Sequence, residues 1–286
     1  TPTIYNVYEI AKYIKAIDRW IPIVIGGPHA TFMYREVLNE SVNVDIVVVG
    51  EGEYTFLELL NVVEKHGLNP NFLESVKGIA FRGSSKIYFT GYRRPIINLD
   101  SLPPPARHLL PMDKYTVFDK PIRVAHVIAS RGCPYGCIYC STSYFMGRFY
   151  RIRSVNNVLD EVEDIVYRYK VRNIAFVDDE LTIIRKWVID FLNGLKERGL
   201  DICFTCGSRV DHVDRELISR MYSQGCSIIY FGVESANQKT LDRIGKKITI
   251  QQIVNAFKLV KEVKGESAGS FILGLPWETI EDMRRT

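Results

Sequence analysis

The sequence has no cysteine before position 133 and six in all, Cys133, Cys137, Cys140, Cys203, Cys206 and Cys226. Clustered thiols in a chain of 286 residues are not the distributed framework of a disulfide-stapled secreted domain. No run of about 18 apolar residues occurs, so no membrane-spanning helix is expected, and the first stretch does not read as a secretory signal. A large excess of charge of either sign is lacking too. The formal net charge is +4, from 37 Lys and Arg against 33 Asp and Glu, which gives no electrostatic argument for nucleic acid. What is present, 47% hydrophobic and 24% charged residues, is ordinary for a globular chain of one large or two smaller domains. The chain opens on TPTIYNVYEI without Met and stops at EDMRRT in a helical pattern, and it reads as a piece of a longer protein.

Residues 1–75 alternate helix and strand. Tyr8 to Trp20 carries Ile10, Ala11, Ile14 and Ile17 at helical spacing. Ile21 to Ile25 and Asp45 to Val49 are short apolar runs, the mark of strands buried on both faces. Each ends in glycines, GGPHAT from Gly26 and GEGE from Gly50, and a helix follows each, Met33 to Asn39 and Tyr54 to Lys65. Such alternation predicts a parallel sheet with crossover helices, and ligands on these sheets bind beyond the carboxyl ends of the strands. Residues 76–121 predict a hairpin about Gly83–Lys86, then a stiff Leu102–Pro111 linker. Arg93, Arg94 and Arg107 read there as solvated or salt-bridged charges.

Residues 122–286 predict repeated βα units. Strands are expected at Val124–Ser130, Asn173–Val177, Ile202–Thr205, Ser227–Phe231 and Ala268–Leu273. The helices between them include one capped by Ser154, with Val158, Leu159, Val162, Ile165, Val166 and Tyr169 on one face. The first strand delivers RGCPYGCIYC, in which Cys133, Cys137 and Cys140 are spaced C-x3-C-x2-C. Three thiolates on one short loop can hold three corners of an iron–sulfur cube and leave the fourth iron open to a small molecule. The competing reading is a zinc site completed by Cys203 and Cys206. Those two and Cys226 also suit small core positions.

The C-x3-C-x2-C loop, with Tyr139 as the aromatic before its last cysteine, resembles the cluster loop of the radical S-adenosylmethionine (SAM) superfamily. VIGGPHAT and VVVGEGE ahead of it resemble the loops of its cobalamin-dependent, B12-binding-domain members. The resemblance implies an α/β chain: the C-terminal half of a Rossmann-like cobalamin-binding domain, then a partial (β/α)6 radical SAM barrel truncated after strand five. It further implies a [4Fe-4S] cluster on Cys133, Cys137 and Cys140, with SAM on the open iron. The reduced cluster cleaves SAM to a 5′-deoxyadenosyl radical that takes a hydrogen atom from substrate.

By the same likeness, Asp178, Asp179 and Glu180 stand where the family binds the SAM ammonium. Glu234 and Ser235 stand where it faces ribose or the amino-acid end, and Ile272, Gly274 and Leu275 where it packs on adenine. Arg209 suits the SAM carboxylate. Gly26, Gly27, His29, Gly50 and Gly52 would line cobalamin, although no D-x-H-x-x-G signature of a histidine-ligated corrinoid is present. Simpler roles stand beside these: Asp178 and Asp179 as helix caps, Arg209 paired with Asp211, His29 as an ordinary loop histidine.

The implied function is methylation or rearrangement of an unactivated carbon in a small-molecule or lipid-like substrate. An electron donor such as ferredoxin or flavodoxin and a reducing cytoplasm would serve it. The alternatives are a methylthiotransferase, whose family carries extra N-terminal cysteines that are lacking here; a radical SAM enzyme whose Rossmann-like domain binds no corrinoid; and a non-enzymatic zinc or electron-transfer module.

Overall fold

The structure is a computed structural model that describes residues 2–83, 85–117 and 120–286. Ser84, in the turn of the expected hairpin, lies outside them. The chain divides into two compact units, Thr1–Ile97 and Asn98–Thr286.

The first unit runs α1 (Ile4–Ile17), β1 (Val24–Ile25), α2 (Pro28–Phe32), α3 (Tyr34–Glu40), β2 (Ile46–Val48), α4 (Glu53–His66), α5 (Pro70–Leu73), β3 (Ile79–Arg82) and β4 (Ile87–Phe89). Its sheet has the order β1-β2-β3-β4. The β1–β2 pair is parallel, as the helical crossover of α2 and α3 between them allows, and β3 and β4 add antiparallel. β2 is buried on both faces because alternate side chains enter separate cores. Val47 packs with Val37, Leu38 and Ala80, while Ile46 and Val48 pack with Leu59, Leu73 and Ile79. Two expectations change. The hairpin, read with the linker in sequence, belongs to this sheet, since β3 pairs along the whole of β2. Helix α1 starts earlier and buries Ile4 and Ala11, leaving Ile10 and Ile17 exposed.

The second unit runs β5 (Thr116–Val117), β6 (Lys120–Val127), β7 (Ser130–Arg131), α6 (Thr142–Phe145), β8 (Arg151–Ile152), α7 (Val155–Arg168), β9 (Asn173–Phe176), α8 (Arg185–Glu197), β10 (Cys203–Ser208), α9 (Arg215–Ser223), β11 (Cys226–Glu234), α10 (Gln238–Arg243), α11 (Ile250–Glu262), β12 (Glu266–Phe271) and α12 (Ile280–Arg285). Its main sheet has the order β12-β11-β10-β9-β6-β5. In it β6, β9, β10, β11 and β12 are parallel and β5 closes the edge antiparallel. The five expected strands are all present, with their carboxyl ends on one side.

Helix α7 starts where Ser154 accepts the Asn157 amide (3.3 Å) and buries five of the six predicted apolar residues, the sixth, Tyr169, being its partly buried C-cap. It also buries Glu161, which pairs with Arg107 at 2.6 Å and with Arg153. Of the two readings of Arg107, solvated or salt-bridged, the second holds, and the residue is buried against the core. Its second contact is a 2.7 Å hydrogen bond to the His126 carbonyl.

Candidate active site

The cysteine loop is pinned at both ends. β7 and β8 pair antiparallel, Ser130 with Ile152 and Arg131 with Arg151, so residues 132–150 leave and return at one place. Gly132 sits at φ 85°, and a Cβ there would lie 2.3 Å from the Phe149 carbonyl oxygen. Only glycine fits where the outgoing and returning backbones cross.

Asp178 ties this loop to β9. It accepts the Ala129 amide at 3.2 Å and the Ser130 hydroxyl. Burial pushes its carboxyl up to about 6, against the pull of those hydrogen bonds. The N-cap of α8 is Ile184, so neither Asp178 nor Asp179 caps that helix.

Cys133, Cys137 and Cys140 line one cavity of about 570 Å³ at the carboxyl ends of the strands. Small-molecule pockets commonly hold about 300–1,000 Å³. Asp179, Glu180, Arg209, Glu234 and Lys246 share its wall. Asp179 accepts the Thr142 hydroxyl at 2.8 Å. Glu180 accepts the Thr182 amide at 3.0 Å and lies 3.4 Å from His212 Nδ1. His212 in turn bonds the Tyr135 hydroxyl through Nε2.

Arg209 forks onto Asp211 at 2.9 and 3.0 Å and stacks 3.7 Å from the Tyr135 ring. The Arg209–Asp211 pair therefore exists, and it fixes the planar guanidinium at the cavity wall. Glu234 is buried and pairs with Lys246 at 2.8 Å. Tyr139 also lines the cavity, and burial, followed by the Glu234 carboxylate, holds its hydroxyl protonated far above the usual phenol range.

Other expected site residues stand elsewhere. Asp178 is not on the cavity wall, being spent on the loop. Ser235 is fully buried and bonds Thr286 at 2.9 Å. β12 ends at Phe271, so Ile272, Gly274 and Leu275 follow the strand in a loop. There Glu278 accepts the Gly274 and Leu275 amides at 2.9 and 3.0 Å. Sequence reasoning missed Tyr135, His212 and Lys246. Tyr135 alone carried a signal, its place between two of the cysteines.

The cavity fits an iron–sulfur cluster with SAM beside it. Among the described residues no three His, Cys, Asp or Glu side chains converge on a single ion. All three thiols line the one cavity, where each could hold a separate corner of a cube. Burial pushes the Cys133 thiol up, so a cation must deprotonate it on binding. The acids suit an ammonium and a sulfonium, and Arg209 and Lys246 suit a carboxylate. Cys203 and Cys206 do not complete a zinc site. An odd separation on β10 sends them to opposite faces, Cys203 exposed and Cys206 buried in the core.

In the first unit, Gly26 and Gly27 follow β1 and Gly50 and Gly52 follow the neighbouring parallel strand β2. A Cβ on Gly26 or on Gly52 would stand 3.6 Å from Val48, so these two flank one side chain. Gly27 and Gly50 have φ 92° and 86°, and a Cβ on either meets no atom within 4 Å. Thr31 joins the two loops by accepting the Gly50 amide at 3.0 Å. His29 lies half-buried in α2. Open space beside bare backbone at the strand ends fits a flat, bulky ligand such as cobalamin.

Residues 127–286 match the Radical SAM superfamily, and residues 1–60 match the B12 binding domain. The chain belongs to the radical SAM superfamily and carries a B12-binding domain ahead of its radical SAM domain. It is 38% identical, over its whole length, to 61% of an uncharacterized methyltransferase of Pyrococcus horikoshii. It is 34% identical, again over its whole length, to 52% of the anaerobic magnesium-protoporphyrin IX monomethyl ester cyclase of Rubrivivax gelatinosus. The chain thus spans between half and two thirds of these curated relatives. Its fold is that of the cobalamin-dependent S-adenosylmethionine radical enzyme OxsB with aqua-cobalamin bound. The TM-score is 0.82 at 22% identity, covering 99% of this chain and 41% of that one.

Proposed function

We propose that the whole protein methylates or rearranges an unactivated carbon of a small molecule by SAM-dependent radical chemistry with cobalamin. The carrying observation is the single cavity in which Cys133, Cys137 and Cys140 meet Asp179, Glu180, Arg209 and Glu234. When bound, the cluster supplies the electron that breaks a carbon–sulfur bond of SAM, and cobalamin supplies a methyl carrier.

The chain's own part is to hold and to shield. The three thiolates anchor the cluster, and the missing fourth cysteine leaves one iron for SAM. Asp179, Glu180 and Glu234 face its cationic groups, and Arg209, made rigid by Asp211 and Tyr135, faces its carboxylate. The glycines after β1 and β2 let a corrinoid approach backbone closely. The electron comes from a donor of ferredoxin or flavodoxin type.

The two curated relatives, one named a methyltransferase and one a cyclase, support keeping both outcomes. Residues 1–132 hold no cysteine for the second cluster that a methylthiotransferase carries.

The test is anaerobic reconstitution of the intact protein with iron and sulfide, then SAM and a strong reductant. Release of 5′-deoxyadenosine that a Cys133, Cys137 and Cys140 triple alanine variant abolishes is the expected result. Zinc bound without sulfide, and no release, would overturn the reading. Cobalamin retained on purification separates the lead from an enzyme that binds no corrinoid.

A further inference from the structure

The cysteine loop has a second brace. After α10 the chain runs Ile244–Gly245–Lys246 alongside it. Ile138 donates its amide to the Ile244 carbonyl at 3.0 Å, and the Cys137 thiol reaches the Gly245 carbonyl at 3.9 Å. The Lys246 carbonyl accepts from Arg209 at 2.9 Å. The Lys246 side chain then turns inward and is 6% exposed, while Lys247 beside it points to solvent. Its ammonium lies 2.8 Å from Glu234 Oε1 and 3.3 Å from the Tyr139 hydroxyl.

Two features show that this placement is specific. Glu234 holds φ 68°, a strained conformation for a residue with a side chain, kept only where its surroundings fix it. A Cβ on Gly232 would stand 2.5 Å from Lys246 Nζ, so bare backbone makes room for the ammonium. Stability alone does not call for the pair, because a buried ion pair gives little over an apolar replacement. The pair does put a desolvated positive charge beside the loop that carries Cys137 and Cys140, where it acts with little screening.

We propose that Lys246 is a positioning residue: it locks Glu234 to Tyr139 of the cysteine loop and favours both the reduced cluster and a bound S-adenosyl ligand. This rests on the cluster and SAM reading of the cavity. A reduced cluster carries one more negative charge, so the ammonium stabilises it and raises its midpoint potential.

The experiment uses the intact protein, reconstituted anaerobically, as wild type and as Lys246→Met, Lys246→Gln, Lys246→Arg and Lys247→Met. Two quantities are read: the cluster midpoint potential, from an EPR-monitored redox titration, and the affinity for S-adenosylhomocysteine, from calorimetry. Lys246→Met is expected to titrate at a more negative potential and to bind about tenfold more weakly, the size of one lost charge-assisted hydrogen bond. Lys246→Arg keeps the charge and the potential, and Lys247→Met matches wild type. Should the Met variant fail to hold a cluster, Lys246→Gln carries the same two readouts. Neutral variants that titrate and bind as Lys247→Met does overturn the role of Lys246 alone. Wild-type protein that takes up neither cluster nor S-adenosylhomocysteine overturns the reading of the cavity and this proposal with it.

Discussion

Asp178 accepts the hydroxyl of Ser130, so a residue two positions beyond β9 holds the strand that opens the cysteine loop, 48 positions earlier in the chain. The acid expected to meet a ligand is buried away from the cavity and meets backbone and hydroxyl donors. Its neighbours Asp179 and Glu180 line the cavity.

This relationship has a pH signature. The Asp178 carboxyl titrates near 6 in the folded chain against an ordinary 3.8. Between about pH 4 and 6 the folded state holds a proton that the unfolded chain has released, so stability falls as pH rises through that window. Asp178→Asn removes that contribution, on the order of 3 kcal/mol across the window. Urea unfolding of the cluster-free protein at several pH values checks it. Identical slopes in both proteins would place the titration elsewhere.

Gly132→Ala is expected to unseat the cysteine loop. The methyl group meets the Phe149 carbonyl oxygen at 2.3 Å and the residue must hold a positive φ. The loss is about 1–3 kcal/mol or more, with reduced iron uptake on reconstitution. Iron and sulfide content beside a thermal melt reads both effects.

Glu161→Ala leaves two guanidinium groups, Arg107 and Arg153, without their shared carboxylate beneath α7. Breaking a buried pair in this way costs about 3–5 kcal/mol. Asp190→Ala breaks the exposed Lys186–Asp190 pair and is expected to change stability by less than about 0.5 kcal/mol. Denaturant midpoints of the two variants should differ accordingly, and equal midpoints would refute the buried network.

Gly50→Val separates the two cofactors. It places a branched side chain at φ 86° in the open space after β2. Cobalamin retention is expected to fall while iron–sulfur content stays at the wild-type level. The cobalamin absorbance and the iron assay on one preparation decide it; loss of neither would remove Gly50 from the corrinoid site.

Much of the architecture was legible because it is written in short-range pattern. The period of the apolar residues in α7, the Ser154 cap and the buried strand β2 each follow from a few adjacent residues. The spacing of Cys133, Cys137 and Cys140 was equally local, and so was the pair of glycine turns after parallel strands. The hairpin was legible as a hairpin. Its place in the first sheet was not, because strand pairing depends on partners more than thirty residues away, such as Ile46 against Phe81.

The sequence by itself determined the two-part α/β order, the cysteine loop and the glycine-bearing strand ends, since these arise from local periodicity and spacing. Only the tertiary structure decided which acids face the cavity, that Arg107 serves a buried carboxylate, and that Lys246 lies beside Glu234 and Tyr139. Those relations join residues that are 12 to 107 positions apart. Nothing in the local pattern around a lysine says whether folding will leave its ammonium in water or bury it against a carboxylate. That is set by the space the packed strands leave and by the charge waiting inside it.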